Sequence, residues 1–211
     1  MIKKHLKTII FTSLLVLVPT VVGLILWDKL PAEIPTHFGF NNEPDGYSSK
    51  AFAVFGIPLM MLAMHIVCIF ATNLDPKKKG LNDKVFTLVL YIIPAVSLMI
   101  CTMIYPVALG KDIQVGLIAM LFLGLVFTLM GNYLPKTKQS NSFHLGRASQ
   151  LNDKNYKKIA RISGYLMMLN GLFFILSIFF HVYVSVAALI FLFVWTLGIT
   201  ILTFRIKKYE E

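Results

Sequence analysis

Charged residues are scarce in this sequence. They make up 14% of its 211 residues, whereas hydrophobic residues make up 57%. A soluble domain carries roughly 25% charged and ~45–50% apolar residues. The mean hydropathy of +0.74 agrees with that contrast. The composition therefore predicts an integral membrane protein.

Aspartate, glutamate, lysine and arginine are absent from six long apolar runs, at 8–27, 51–72, 85–110, 113–134, 162–180 and 182–204. Each run is close to the ~20 residues that a helix needs to cross a ~30 Å hydrocarbon core. Ion-coupled pumps place ionisable groups at membrane depth, so this absence argues against such a pump. We predict an all-α integral membrane protein with six transmembrane helices in a single domain.

The sequence also has little that could support catalysis. It lacks a His-Glu-x-x-His motif, a Gly-x-Ser-x-Gly motif and a phosphate-binding loop. It has two cysteines, Cys68 and Cys101, which the spans place towards opposite faces of the membrane. A disulfide requires Cα atoms within ~7 Å, so we predict free thiols. We predict no enzyme activity, no catalytic residue and no cofactor.

Basic residues are plentiful, and they are unevenly placed. The net charge is +10, and seventeen of the twenty lysine and arginine residues fall in the N-terminus, the loops 73–84 and 135–161, and the C-terminal tail. The other three are Lys29, Lys50 and Lys111. The positive-inside rule then places both termini in the cytoplasm. The charge therefore indicates topology and contact with the lipid bilayer, and we predict no direct binding of nucleic acid.

One long polar segment, 28–50, is predicted to lie outside the cell. Prolines and glycines between residues 35 and 50 exclude a regular helix. Asp45-Gly46 is a turn signal, and we expect a positive φ at Gly46. His37 and Asp45 are expected to hydrogen-bond and fix the loop. Their spacing from Glu33 and Glu43 matches no metal motif, so we predict no metal site.

A few residues within or beside the spans have alternative interpretations. His65, Asn132 and Asn170 are polar. His65 and Asn170 are expected to hydrogen-bond between helices, although His65 could instead be a proton-sensitive group. Pro19 is expected to bend the first helix. In the inner loop 135–161, Asn152 is a plausible N-cap. Tyr156 is expected at the membrane interface, either near anionic lipid headgroups or where a cytoplasmic protein docks.

Two sets of motifs resemble one family. The outer loop contains Pro35-Thr36-His37-Phe38-Gly39 and then Asp45-Gly46-Tyr47-Ser48-Ser49-Lys50. The inner side contains Gly131-Asn132-Tyr133-Leu134-Pro135-Lys136, Gly146-Arg147 with Leu151, and Asn155-Tyr156 with Lys158, Arg161 and Gly164. Together these resemble the SdpI-type bacterial immunity family, in which tryptophans stand at the positions of Phe38 and Tyr156.

The resemblance implies a protein of the bacterial cell membrane that protects its producer from a secreted peptide toxin. It also implies that a toxin-bound member holds a cytoplasmic transcriptional repressor at the membrane. The implied toxin-binding residues are His37, Phe38, Asn41, Asp45, Gly46, Tyr47 and Lys50. The implied partner-binding residues are Asn132, Tyr133, Arg147, Asn155, Tyr156, Lys158 and Arg161. Two alternatives remain: a small permease or export component, and a membrane tether that regulates a DNA-binding protein.

Overall fold

A computed structural model describes residues 2–39, 41–73, 83–136, 148, 150–179 and 181–210 of the chain. Seven α-helices and one β-hairpin account for most of them. The elements are α1 (Ile2–Val16), α2 (Val18–Ile25), β1 (Glu33–Phe38), β2 (Pro44–Ser49), α3 (Ile57–Asn73), α4 (Asp83–Ala108), α5 (Val115–Tyr133), α6 (Asp153–Leu176) and α7 (His181–Glu210). A π-helical turn precedes α3, and a short 3-10 turn follows α5.

Six helical segments in the described part of the chain are long and apolar enough to cross a membrane. They are Ile2–Ile25, Phe52–Ala71, Phe86–Ala108, Val115–Lys136, Asp153–Leu176 and Val186–Tyr209. The six predicted transmembrane helices are therefore confirmed, and the chain is a multi-pass membrane protein. The fifth span begins at Asp153, earlier than the predicted residue 162. The Asn152 side chain accepts a hydrogen bond from the Asn155 N–H at 3.0 Å, so the predicted N-cap is confirmed.

The first span is interrupted where the sequence predicts a bend. Helix α1 ends at Val16 and α2 begins at Val18. Pro19 has no N–H, and its ring clashes with the preceding turn. Ser97 Oγ donates to the Val16 carbonyl at 2.9 Å, and the Tyr105 hydroxyl donates to the Pro19 carbonyl at 3.0 Å. Side chains of α4 therefore contact the backbone around the break, and the helix is interrupted close to the predicted bend at Pro19.

The second span contains a similar irregularity. The π-helical turn Phe52–Gly56 lies just before Pro58, which cannot donate to the carbonyl of Val54 four residues earlier. The hydroxyl of Thr20 donates to that carbonyl instead, at 2.9 Å. Irregular backbone at membrane depth is tolerated where a neighbouring helix supplies such hydrogen bonds. The two interrupted spans thus support one another.

The outer segment forms a two-stranded antiparallel hairpin, which the sequence did not predict. Glu33 pairs with Ser49, Pro35 with Tyr47 and His37 with Gly46. The turn includes Gly39 and residues 41–43, where the Gly39 N–H donates to the Glu43 carbonyl at 2.9 Å. The expected turn at Asp45-Gly46 was wrong, because both residues lie within β2. The positive φ belongs to Asn42, at 66°, and Gly46 does not have one.

The described chain groups into two compact units. Unit 1 comprises Met1–Leu74 and Phe86–Ala119, and unit 2 comprises Asp75–Val85 and Met120–Glu211. The core of unit 1 is formed by Leu30, Ile34, Ala53, Val54, Cys101, Ile104 and Tyr105. The core of unit 2 is formed by Ala148, Leu151, Tyr156, Ile159, Ala160, Trp195 and Ile199.

Helices α5 and α6 in unit 2 approach each other at two pairs of glycines. A Cβ atom at Gly131 would lie 2.7 Å from the Gly164 carbonyl oxygen. A Cβ atom at Gly171 would lie 2.7 Å from the Gly124 carbonyl oxygen. Small residues at this spacing let the backbones of membrane helices touch. These four positions therefore set the distance between the two helices.

Polar groups inside the spans hydrogen-bond between helices, as predicted. His65 is 1% exposed, and its Nε2 lies 3.1 Å from Thr12 Oγ1 of α1. Asn170 is fully buried and donates through Nδ2 to the Ala188 carbonyl at 2.8 Å. Cys68 and Cys101, both described, form no disulfide.

Candidate functional site

The hairpin packs on unit 1 through part of its surface. Ile34 is fully buried in the core of unit 1, and Phe38 packs against that core from the hairpin tip. Glu33 and His37 of β1, and Asp45 and Tyr47 of β2, are exposed. Burial of part of the hairpin fixes the register of the strands. The exposed side chains are therefore held in place while remaining accessible to a ligand.

The exposed side of the hairpin carries acidic, imidazole and phenol groups. His37 Nδ1 and Asp45 Oδ1 are hydrogen-bonded at 2.5 Å, with 76% and 52% of their side-chain surface exposed. Asn41 Nδ2 donates to Glu43 Oε2, and the Tyr47 ring is 57% exposed. The expected bond between His37 and Asp45 is confirmed. These groups can accept hydrogen bonds, donate them and stack, which suits recognition of a peptide.

Asn42 joins the hairpin tip to the start of α5. Its Nδ2 donates to the Ile113 carbonyl at 3.0 Å, and its Oδ1 accepts from the Gly116 N–H at 3.0 Å. Asparagine is one of the few residues that adopt the left-handed backbone conformation readily. The sequence analysis missed this role. The local signal was an asparagine in a polar turn, but its partners lie more than seventy residues away.

Lys50 secures the other end of the hairpin. Its Nζ donates to the Trp27 carbonyl at 2.9 Å and lies 5.1 Å from the centre of the Trp27 ring. Its backbone N–H donates to the Ala32 carbonyl at 2.8 Å. The half-buried Lys50 was predicted to bind a ligand. That role stays a prediction, and the observed contacts attach the end of β2 to the end of the first span.

The seven predicted toxin-binding residues fall into two groups. Four are exposed on the hairpin: His37, Asn41, Asp45 and Tyr47. The other three have structural contacts: Phe38 packs on the core, Lys50 contacts Trp27, and Gly46 makes room for His37. A Cβ atom at Gly46 would lie 2.9 Å from the His37 Cβ. The accessible set is therefore smaller than the predicted one.

Among the described residues, no group of three or more histidine, cysteine, aspartate or glutamate side chains is arranged to hold a metal ion. His37 and Asp45 are adjacent, but Glu33 and Glu43 do not complete a site with them. The hairpin is therefore best described as a surface for hydrogen bonding and charge contacts.

The predicted inner residues lie on two helices of unit 2. Asn132 and Tyr133 end α5, where Lys136 Nζ donates to Asn132 Oδ1 at 3.2 Å and lies 5.3 Å from the centre of the Tyr133 ring. Beside them, Pro135 packs against Gly164, since a Cβ atom at Gly164 would lie 2.7 Å from the proline ring. The two inner motifs therefore meet at the crossing of α5 and α6.

The remaining inner residues lie on the first turns of α6, with one exception. Lys158 and Arg161 are exposed and Asn155 is half-buried. Tyr156, which is expected at the membrane interface, is 3% exposed and belongs to the core of unit 2. Trp195 and Ile159 belong to the same core. Arg147 lies outside the described residues.

Two comparisons with known proteins agree with the motifs. Residues 14–62 match a domain of unknown function, DUF1648, and this stretch includes the whole hairpin. The chain is 25% identical over 158 residues to Immunity protein SdpI of Bacillus subtilis (strain 168), which is 73% of this chain and 72% of that protein. No solved structure matches. The resemblance to the SdpI-type immunity family, predicted from the loop motifs, is therefore confirmed.

Proposed function

We propose that this chain is a non-enzymatic membrane immunity protein that protects the cell from a secreted peptide toxin. The observation that carries the proposal is the similarity to an immunity protein over most of both chains. The six apolar spans agree with a protein that acts within the membrane. Protection at the membrane requires no catalytic group, only a surface that binds the toxin or blocks its insertion.

The proposed toxin-binding surface is the exposed side of the hairpin. The positive-inside rule supports an external position for it, because the predicted outer side carries three of the twenty basic residues. Asp45, His37 and Tyr47 offer charge, hydrogen bonds and an aromatic face within one surface. Because contacts at both ends hold the hairpin, these groups are oriented before a ligand arrives.

The test is resistance in a sensitive host. The chain is expressed in a sensitive strain, which is challenged with candidate peptide toxins beside an empty-vector strain. Asp45→Asn is expected to lose protection, because it removes the carboxylate that orients His37. Asp112→Asn is the matched control, since Asp112 is an exposed carboxylate outside the hairpin. Full protection by Asp45→Asn at equal membrane abundance would remove the hairpin from the proposal.

The permease alternative predicts a different dependence on energy. A pump or exporter lowers the amount of cell-associated toxin and requires an energised membrane. A binding protein protects without a proton gradient. Resistance and toxin binding are therefore measured with and without a protonophore. If the protonophore abolishes resistance while toxin binding is unchanged, the chain is a transporter and the immunity proposal is wrong.

A second, more specific proposal concerns toxin sensing at the predicted cytoplasmic side. We propose that exposed residues at the start of α6 contact a cytoplasmic repressor after toxin binds. Arg161→Ala is expected to reduce co-fractionation of repressor with membranes while leaving resistance intact. Lys154→Ala is the control on the same helix, because Lys154 is exposed but outside the family motif. Equal recruitment by both variants and the wild-type chain would contradict this role for Arg161.

A further inference from the structure

A cleft of about 760 Å³ lies in unit 2 between the start of α6 and the end of α7. Its apolar part is formed by Leu151 and Ile206, and both pack with the core of unit 2. The span of α6 begins at Asp153 and the span of α7 ends at Tyr209. The cleft is therefore located where two membrane helices reach the water boundary.

The polar part of the cleft is rich in hydrogen-bond donors. Gln150, Asn152 and Asn155 contribute amides, Lys158 an ammonium group, and Tyr209 a phenol. The Gln150 Oε1 accepts from Lys207 Nζ at 2.7 Å, so the amide N–H groups are the part of Gln150 suited to a ligand. Among the described residues that line the cleft, none carries a carboxylate. This lining favours an anion.

The segments around the cleft carry a net positive charge, which would also favour an anion. Seven lysine or arginine residues lie in 150–161 and 203–211, against three acidic residues. Lys154 and Lys157 on α6, and Arg205 and Lys208 on α7, are exposed. Basic pockets between transmembrane helices on the cytoplasmic side are the usual sites for anionic lipid headgroups. The surroundings would therefore attract a negatively charged group to the cleft.

We propose that this cleft binds the headgroup of an anionic phospholipid. The phosphate lies against Lys158 and the amide donors, because charge-assisted hydrogen bonds to phosphate oxygens are the strong ones. The glycerol backbone lies over Leu151 and Ile206. An acidic segment of a soluble protein would also match the charge. The apolar floor and the position at the ends of two spans favour a lipid, which presents a phosphate and an apolar part at that depth.

The experiment uses the full-length chain in nanodiscs of phosphatidylcholine, with or without phosphatidylglycerol. The readouts are the lipid retained on the protein by native mass spectrometry and the midpoint of thermal unfolding. Phosphatidylglycerol is expected to be retained in preference to phosphatidylcholine and to raise the midpoint. Lys158→Gln is expected to weaken that retention about three- to fivefold, the effect of one partly exposed charge pair.

Lys157→Gln is the matched control, because Lys157 is an exposed neighbour outside the lining of the cleft. It removes the same charge from the same helix, so it measures the nonspecific electrostatic attraction. Equal loss of phosphatidylglycerol retention in both variants would overturn the proposal, and so would equal retention of both lipids by the wild-type chain.

Two other ligands are tested by adding them to the protein in phosphatidylcholine nanodiscs. Stabilisation that depends on Lys158 with inorganic phosphate would assign the cleft to a free anion. The same result with polyglutamate would assign it to an acidic protein segment.

Discussion

At the scale of single residues, Asn42 has two roles, one through its backbone conformation and one through its side chain. Its backbone has the left-handed conformation at the hairpin tip. Its side-chain amide donates a hydrogen bond to Ile113 and accepts one from Gly116, next to the start of α5. Asparagine and glycine can both adopt this conformation, whereas alanine is penalised there. The backbone and side-chain roles can therefore be separated by substitution.

Replacing Asn42 by alanine should destabilise the protein by about 2–3 kcal/mol, from two lost hydrogen bonds and a strained backbone. Asn42→Gly should cost less, because glycine keeps the backbone conformation and loses only the bonds. The measurement is the free energy of unfolding by denaturant titration in mixed micelles. If the two variants have the same free energy of unfolding, the left-handed conformation makes no measurable difference to stability.

Gly46 is a second residue-scale feature, and its role is steric. An added methyl group would meet the His37 Cβ at 2.9 Å, closer than real side chains approach. Gly46→Ala should therefore speed hydrogen exchange in the hairpin and weaken the contact of His37 with Asp45. Gly116→Ala is the control, since its nearest neighbour would be 3.9 Å away. Unchanged hydrogen exchange in Gly46→Ala would show that the strands move apart to accommodate the methyl group without cost.

At the scale of elements, the sequence located the spans and the break near Pro19, but not the π-helical turn at Phe52–Gly56. A long apolar run without charge has few stable alternatives in a bilayer. Proline removes a backbone donor, and the first span is interrupted beside Pro19, whereas α4 continues through Pro94 and Pro106. The start of α6 was also predictable, because the cap at Asn152 is formed by its neighbours. The hairpin was not predicted, since prolines in both strands disfavour a sheet. It depends on distant contacts from Ile34, Asn42 and Lys50, which no local pattern contains.

Thr20 and Pro58 allow a double-mutant test of the broken spans. Thr20→Val should destabilise the protein by about 1–2 kcal/mol, because it removes the donor that serves the Val54 carbonyl. In a Pro58→Ala background the cost should be smaller, since the alanine that replaces the proline supplies a backbone N–H to that carbonyl. The free energies of unfolding of the four proteins give the coupling. Equal costs in the two backgrounds would show that the hydroxyl does not replace the missing N–H.

The glycine contacts between α5 and α6 give a second element-scale prediction. Gly171→Ala places a Cβ atom 2.7 Å from the Gly124 carbonyl and should cost about 1–3 kcal/mol through overpacking. Gly198→Ala on α7 is the control, because no atom lies within 4 Å of its added Cβ. It should be neutral or slightly stabilising in thermal unfolding. Similar midpoints for the two variants would mean that α5 and α6 separate easily.

At the scale of the whole molecule, the orientation in the membrane stays a prediction, and so does the single transmembrane domain. Orientation rests on the placement of seventeen basic residues on one side. The site residues also stay a prediction, although four of them, His37, Asn41, Asp45 and Tyr47, are exposed on the hairpin. The interface depth of Tyr156 stays a prediction. Its burial was not predicted, because burial depends on residues of another helix, such as Trp195 in the same core.

Labelling tests this orientation directly. In a chain with Cys68 and Cys101 replaced by alanine, Ser49→Cys should react with an impermeant thiol reagent on intact cells. Lys154→Cys should react only after the membrane is opened. Both positions are exposed, so accessibility depends on the side of the membrane. Reaction of Lys154→Cys on intact cells would reverse the assignment.

The two attachments of the hairpin, through Asn42 and Lys50, have a thermodynamic consequence. A surface that is already ordered loses little conformational entropy on association, so the entropy cost comes mainly from the incoming peptide. In isothermal titration calorimetry, the proposed binding of toxin should become entropically less favourable in Asn42→Ala, with the contact residues unchanged. The heat capacity change should become more negative as well, because ordering a loosened hairpin buries additional apolar surface.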